Sequence, residues 1–221
     1  MLFGDGTTFE SLAPLIVGGP GARGYFSVTG GATATVGIDL AVGTVGRNRS
    51  DAAVNVVGAG SRLEVSDRVI VGRRTTAEVM LAEGGELVGG QKIRIGTGGS
   101  LKIGNGGEAG LLDAGTQPID NNGTIAFNHT DPFTLNEAVT GQGLITKGGP
   151  GVTTFSGAVV SQAGLNIDAG SVFVNGSFTG NAVNIAAGAT PGGTGVIQAP
   201  VLNSGILCRD RDWRAGFPAF G

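Results

Sequence analysis

The sequence predicts an all-β solenoid, in which short strands wind into coils and each coil covers the open face of its neighbour. Three observations predict it: short apolar phrases that recur, glycines that close these phrases, and alternation of apolar and polar residues within them. The closing glycines lie 25, 29 and 24 positions apart, and the phrases are Leu15–Gly18, Leu40–Gly43, Val69–Gly72 and Ile93–Gly96. A recurrence of about two dozen residues built from short strands is typical of a solenoid.

Each repeat also contains two earlier strand phrases. The first ends in a glycine-rich turn, as in Val54–Gly60, and the second is a short alternating segment, as in Leu63–Val65. Because apolar and polar residues exchange at every position, one face of such a strand points to a core and the other to solvent. No helical stripe of useful length occurs, and the glycine-rich turns preclude helices longer than about two turns.

Glycine and proline are abundant, but the composition is not that of a disordered chain. The 221 residues include 44 glycines and 8 prolines, while 40% are apolar and 14% are charged. Disordered chains combine low hydrophobicity with high charge, whereas the mean hydropathy here is +0.21. We therefore interpret the glycines as residues of many tight turns.

Charge and cysteine content exclude several classes of function. A net charge of −3, with 14 scattered basic residues, predicts neither nucleic acid nor an anionic membrane as partner, and we interpret Arg73–Arg74 as a solvated turn. Cys208 is the single cysteine, which excludes a disulfide framework and a thiolate metal site. No apolar run reaches the roughly 18 residues that a membrane-spanning helix needs.

The spacing of the strand phrases changes in the second half of the chain. Residues 98–143 are less regular, and residues 144–207 contain short strands at spacings of about 10 residues, which suits flat sheets wound into coils. Residues 208–221 break the pattern with Cys208 and Trp213, and we interpret them as an atypical tail. We therefore expect four consecutive segments: repeat coils in 1–97, a less regular continuation of the solenoid in 98–143, further coils in 144–207 and an atypical tail in 208–221.

These segments resemble two repeat types of bacterial autotransporters. The units 26–43, 54–72 and 79–96 resemble the type V secretion/PEP-CTERM-associated repeat, with its alternating strand, glycine pair, second strand and closing glycine phrase. Residues 123–157 resemble the region that joins repeats in such passengers. Residues 144–197, with LITKGGPGVTTFSG, AGSVFVNGS and GATPGGTGVI, are similar to the passenger-associated transport repeat.

The resemblance implies a right-handed parallel β-helix, which we expect to have about ten coils. It implies a non-catalytic rod with an adhesin-type role at the cell surface or outside the cell. Its partners would be an outer-membrane β-barrel translocator, a host-surface or glycan ligand, and further copies that meet at the open solenoid ends. The N-terminus lacks the basic and apolar regions of a signal peptide, and no barrel follows the repeats, so we expect a piece of a passenger.

We expect no catalytic, cofactor-binding or metal-binding residues. His129 is the sole histidine, no Gly-x-Ser-x-Gly elbow is present, and we interpret His129 as a turn or surface residue. Gly19–Gly24 fits G-x-G-x-x-G, but a strand follows it, whereas a dinucleotide site requires a helix. Gly98–Gly99 and Gly192–Gly193 lack the aspartate of the calcium-binding nonapeptide pattern.

Two alternatives stay open at this point. A β-helix polysaccharide hydrolase or lyase would bring Asp113, Asp120 and Asp131 together in a groove, because such chemistry needs paired carboxylates. A truncated, non-functional remnant of an autotransporter gene would show the same repeats. Four aromatic residues that could stack on sugars are interpreted as core residues instead: Tyr25, Phe26, Phe127 and Phe133.

Overall fold

The computed structural model describes residues 1–4, 6–19, 21–43 and 51–205. The described part of the chain is built of strands connected by turns. In chain order these are β1 (Leu2–Phe3), β2 (Thr8–Ser11), β3 (Leu15–Val17), β4 (Gly24–Thr29), β5 (Thr33–Val36), β6 (Leu40–Val42), β7 (Ala52–Val57), β8 (Arg62–Val65), β9 (Arg68–Val71), β10 (Ala77–Ala82), β11 (Glu86–Gly89), β12 (Lys92–Ile95), β13 (Gly99–Ile103) and β14 (Leu111–Asp113). They continue as β15 (Ile119–Asn121), β16 (Thr124–Phe127), β17 (Phe133–Leu135), β18 (Val139–Thr140), β19 (Leu144–Lys147), β20 (Val152–Phe155), β21 (Ala158–Ser161), β22 (Gly164–Ile167), β23 (Ser171–Val174), β24 (Ser177–Gly180), β25 (Val183–Ile185), β26 (Thr190–Gly192), β27 (Val196–Gln198) and β28 (Val201–Asn203).

The strands form a parallel β-helix with three faces. The first face is a ten-stranded sheet that takes every third strand from β1 to β28, and the second is a nine-stranded sheet from β3 to β27. The third face is divided into a five-stranded sheet, β2 to β14, and a four-stranded sheet, β17 to β26. The pairings within these sheets are parallel, as in the ladder from β4 through β7 to β10. The predicted all-β solenoid is confirmed, and the ten strands of the first face match the expected ten coils.

The core is a set of columns of stacked apolar side chains. In β7 the burial alternates strictly, with Ala52, Val54 and Val56 inside and the residues between them partly exposed. Parallel register places each inward residue on the equivalent residue of the next coil, because paired strands point the same way. One such column is Phe26, Val54, Val79, Leu101, Ile125, Ile145, Leu165 and Val183, all at most 3% exposed.

The coils become shorter along the chain while the columns continue. Phe26 lies opposite Val54, 28 positions later, whereas Leu165 lies opposite Val183, 18 positions later. The three strands of the first of these coils, β4 to β6, have 13 residues in total and those of the last, β22 to β24, have 12, so the difference lies between the strands. Turn length therefore decides where the outer surface projects and where it recedes.

Some glycines are required by the spacing of the coils and not by an unusual backbone angle. Gly157, Gly176 and Gly195 occupy equivalent corners of successive coils, and none of them has a positive φ. A Cβ atom at Gly176 would collide with the carbonyl oxygen of Gly157, and one at Gly195 would collide with that of Gly176. These three glycines lie in turns, as expected, and close contact with the preceding coil is a second reason for glycine at these positions.

Replacing Gly176 with alanine is expected to destabilise the solenoid. The added methyl group must displace the backbone of the preceding coil, and such overpacking typically costs about 1–3 kcal/mol. Gly148→Ala is the matched control, because Gly148 is exposed and has no atom within 4 Å of its added Cβ. Urea unfolding followed by circular dichroism should show a lower midpoint for Gly176→Ala alone; equal midpoints for the two variants would contradict the steric argument.

Candidate functional site

The three aspartates of the enzyme hypothesis lie on different elements. Asp113 ends β14 on the third face and accepts the backbone N–H of Gly115 at 3.0 Å. Asp131 lies in the turn before β17 and accepts the backbone N–H of Ala109 at 2.8 Å. The Asp113 carboxylate therefore organises its own turn, and the Asp131 carboxylate joins its turn to a turn of the preceding coil.

Asp120 faces outward on β15 of the nine-stranded sheet. Its Oδ2 lies 3.4 Å from Nε of Arg94, and its Oδ1 accepts Nδ2–H of Asn122 at 2.6 Å. The carboxylate thus joins two coils through an ion pair with β12, the neighbouring strand of the preceding coil. Across the described ranges, no group of three or more His, Cys, Asp or Glu side chains is arranged to hold a metal ion.

His129 lies in a turn after β16, as expected, but it is fully buried, so the surface part of that interpretation was wrong. Nδ1 lies 2.7 Å from the carbonyl oxygen of Asp131, which can only accept, so Nδ1 carries the proton. Nε2 then accepts the hydroxyl of Thr153 at 2.8 Å. Burial lowers the pKa of His129, the Asp131 carbonyl partly opposes this, and the nearby charge of Lys147 adds to the lowering. The geometry holds a neutral imidazole with both nitrogens bonded.

Lys147 is a buried cation that the sequence analysis did not single out. It ends β19 with no exposed surface, and it lies between Phe127 and Ile167 in a core column of the ten-stranded sheet. Its ammonium group donates to the carbonyl oxygen of Gly149. Burial lowers the pKa of Lys147 to about 8. The alternation of Ile145 and Lys147 on one face of the strand was the sequence signal that could have found it.

Replacing Lys147 with methionine is expected to stabilise the protein and to change its pH dependence. Between about pH 8 and pH 10.5 the unfolded chain binds a proton at Lys147 that the folded chain does not, so wild-type stability rises with pH in this window. The rise amounts to at most about 3 kcal/mol, and Lys147→Met should remove it while raising stability at pH 7.5 by about 1–3 kcal/mol.

Urea midpoints measured at pH 7.5 and pH 10 test this expectation. Lys102→Met is the matched control, since Lys102 faces outward on the same sheet and pairs with Glu78 at 2.7 Å. Two results would contradict the expectation that burial of Lys147 destabilises the fold. One is a lower urea midpoint for Lys147→Met than for wild type at pH 7.5, and the other is a rise in the stability of Lys147→Met between pH 7.5 and pH 10 as large as that of wild type.

Thr153→Val is expected to destabilise the protein although it preserves side-chain shape. The valine leaves Nε2 of buried His129 without its donor, and an unsatisfied buried polar group costs about 1–3 kcal/mol. Thr154→Val, one position along β20 and facing outward, should change stability little. Thermal unfolding of both variants at pH 7.5 checks the difference, and similar melting temperatures would argue against the hydrogen bond.

The aromatic residues occupy the positions expected of them with one exception. Phe127 and Phe133 pack at a ring-centroid distance of 5.6 Å, and Phe26 is buried beside Phe9. Tyr25 is instead 61% exposed, because neighbouring residues in β4 point to opposite faces. The core interpretation of Tyr25 was therefore wrong.

The glycine motif at Gly19–Gly24 leads directly into a strand. β4 begins at Gly24, the third glycine, so the segment presents no helix N-terminus to a pyrophosphate.

Cys208 and Trp213, the residues that mark the atypical tail, lie outside the described residues. Within the described ranges, no helix has the length and apolar character needed to cross a membrane.

A surface groove of about 550 Å³ opens where the nine-stranded sheet turns into the ten-stranded sheet. The turn from β9 to β10 spans residues 72–76, whereas the turns of the next two coils span only 96–98 and 122–123, so the longer turn overhangs the shorter ones. The groove is lined by Ile70, Gly72, Arg73, Arg74, Arg94, Gly96, Thr97, Asn122 and Gln142. Arg73 and Arg74 are exposed, which confirms their interpretation as a solvated turn.

Comparison with known proteins gives one informative similarity. The sequence is 39% identical over 98 residues to the adhesin BmaC autotransporter of Brucella suis biovar 1 (strain 1330). The match covers 42% of this chain and 3% of that protein, so the chain spans a small part of its relative. No protein-family model matches the sequence, and no solved structure does. Part of this parallel β-helix is thus similar to a segment of an autotransporter adhesin.

Proposed function

We propose that this chain is a segment of the passenger of a bacterial autotransporter, a surface-exposed structural rod with an adhesin-type role. In the full-length protein its partner is the outer-membrane β-barrel translocator that carries the passenger across the membrane. The rod projects a binding surface away from the cell, and its ligand is a molecule of a host or neighbouring surface.

The continuous ladder of the ten-stranded sheet is the observation that carries the proposal. Ten strands at a spacing of about 4.8 Å give a rod of about 45 Å. A solenoid of this kind is extended by adding coils, and its stability grows approximately coil by coil. The similarity to a segment of the adhesin BmaC autotransporter supports the same function, because that protein is named as an adhesin and an autotransporter.

Surface display tests the export part of the proposal. The chain would be placed between the signal peptide and the translocator barrel of a characterised autotransporter and expressed in a Gram-negative host. We expect intact cells to present it to externally added protease and antibody, because parallel coils can fold one after another as they emerge.

An unrelated exported passenger with the same signal and barrel serves as the positive control. Retention of the chain in the periplasm while the control reaches the surface would contradict the proposal. Adhesion is then scored by the attachment of displaying cells to cultured host cells, and attachment equal to that of cells with the empty translocator would count against the adhesin-type role.

A further inference from the structure

The groove between the turns holds a concentration of positive charge on a chain whose net charge is −3. Arg73 and Arg74 are exposed, and none of the ion pairs among the described residues includes either of them. Arg94 contributes a third guanidinium group, 58% exposed, whose Nε lies beside Asp120. A concave cluster of cations concentrates field lines and attracts anions locally even on an acidic protein.

The groove is held in place before any ligand binds. Arg74 has a left-handed backbone with φ of 68°, and its N–H donates to the carbonyl of Thr97 in the next coil at 3.0 Å. Asn122 donates to Asp120, and its Oδ1 accepts the N–H of Gln142 at 3.3 Å. A non-glycine residue in this conformation is strained, and such strain is concentrated at functional sites.

The lining determines which anion fits. Guanidinium groups bind carboxylate and sulfate through paired hydrogen bonds. The hydroxyl of Thr97 and the carboxamides of Asn122 and Gln142 offer donors and acceptors suited to sugar hydroxyls. A volume of about 550 Å³ is within the ordinary range for ligand sites.

Other polyanions fit the groove less well. Its lining includes no aromatic ring on which the bases of a nucleic acid could stack. Ile70 is its one large apolar residue, whereas bound peptides usually anchor through apolar pockets or a free strand edge. β9 and β12 are paired on both sides, so no strand edge is available there.

We infer that this groove is a binding site for an acidic polysaccharide, with Arg73, Arg74 and Arg94 binding its carboxylate or sulfate groups. Asn122 and Gln142 orient the sugar hydroxyls beside them. The inference rests on the proposed adhesin-type role and names the class of ligand for it. Carboxylated and sulfated chains share this recognition chemistry.

Binding of defined polymers to the purified 221-residue chain tests the inference, by isothermal titration at low salt and at about 150 mM salt. Heparin is the sulfated probe, polygalacturonate the carboxylated probe, dextran the neutral control and polyglutamate the acidic polypeptide. We expect at least one acidic polysaccharide to bind, more weakly at the higher salt, and dextran not to bind.

A double variant that carries Arg73→Gln and Arg74→Gln should bind the polysaccharide about tenfold more weakly, because charge-assisted hydrogen bonds are lost. Arg62→Gln with Lys102→Gln removes the same charge outside the groove and should leave affinity within about twofold of wild type. Arg94→Gln is a second, single-site variant that should weaken binding in the same direction, and circular dichroism verifies that each variant is folded.

Equal weakening by both double variants would overturn the inference, since it would indicate general ion exchange. Failure of both acidic polysaccharides to bind would also overturn it, and tighter binding of polyglutamate would assign the groove to an acidic polypeptide instead. These results do not depend on export: a purified chain can bind a glycan whether or not its displayed form reaches the surface, and a failure to bind leaves the display result unchanged.

Discussion

Backbone hydrogen bonds join most strands to the strand three places earlier and the strand three places later in the chain, which sets adjacent coils about 4.8 Å apart. This spacing places each inward side chain directly on its equivalent in the next coil, and so it creates the apolar columns. It also brings backbone atoms close together at the corners, where Gly176 and Gly195 are needed because a Cβ would have no space. Packing, corner composition and the length of the rod all follow from the same repeat distance.

The columns also determine how buried polar groups are accommodated. Asn121 occupies an inward corner, where its Nδ2 donates to the carbonyl of Leu144 and its Oδ1 accepts the N–H of Gly123. Ser161 lies at the equivalent corner two coils later, with its hydroxyl 2.6 Å from the carbonyl of Gly143. Because turn carbonyls and amides lie at the corners, a polar side chain there finds a partner that it would lack in the middle of a strand.

His129 and Lys147 follow the same pattern near the division of the third face. The turn before β14 spans residues 104–110 and the turn before β17 spans 128–132, and these two strands belong to separate sheets. His129 bonds to a turn carbonyl and to Thr153, while Lys147 reaches the carbonyl of Gly149. Burial still lowers the pKa of Lys147 to about 8, because one carbonyl replaces only part of the hydration of an ammonium group.

The outer surface is less constrained than the core, since turns can lengthen without disturbing the hydrogen-bonded ladder of strands. The groove formed by the turn 72–76 arises in this way.

Much of the fold was determined by the sequence alone, because periodicity is a local property. The phrases ending at Gly43, Gly72 and Gly96 already specify strand, turn and repeat length, and the strict alternation in β7 already specifies which residues point inward. Only the tertiary structure decided what the turns bring together. Arg94 lines the same groove as Arg73 and Arg74, although it lies about 20 residues later in the chain. The alignment of neighbouring coils also places Asp120 beside Arg94. The buried imidazole of His129 likewise has its hydrogen-bond partner, Thr153, in the following coil. Contacts of this kind depend on how successive coils are aligned, which no single repeat contains.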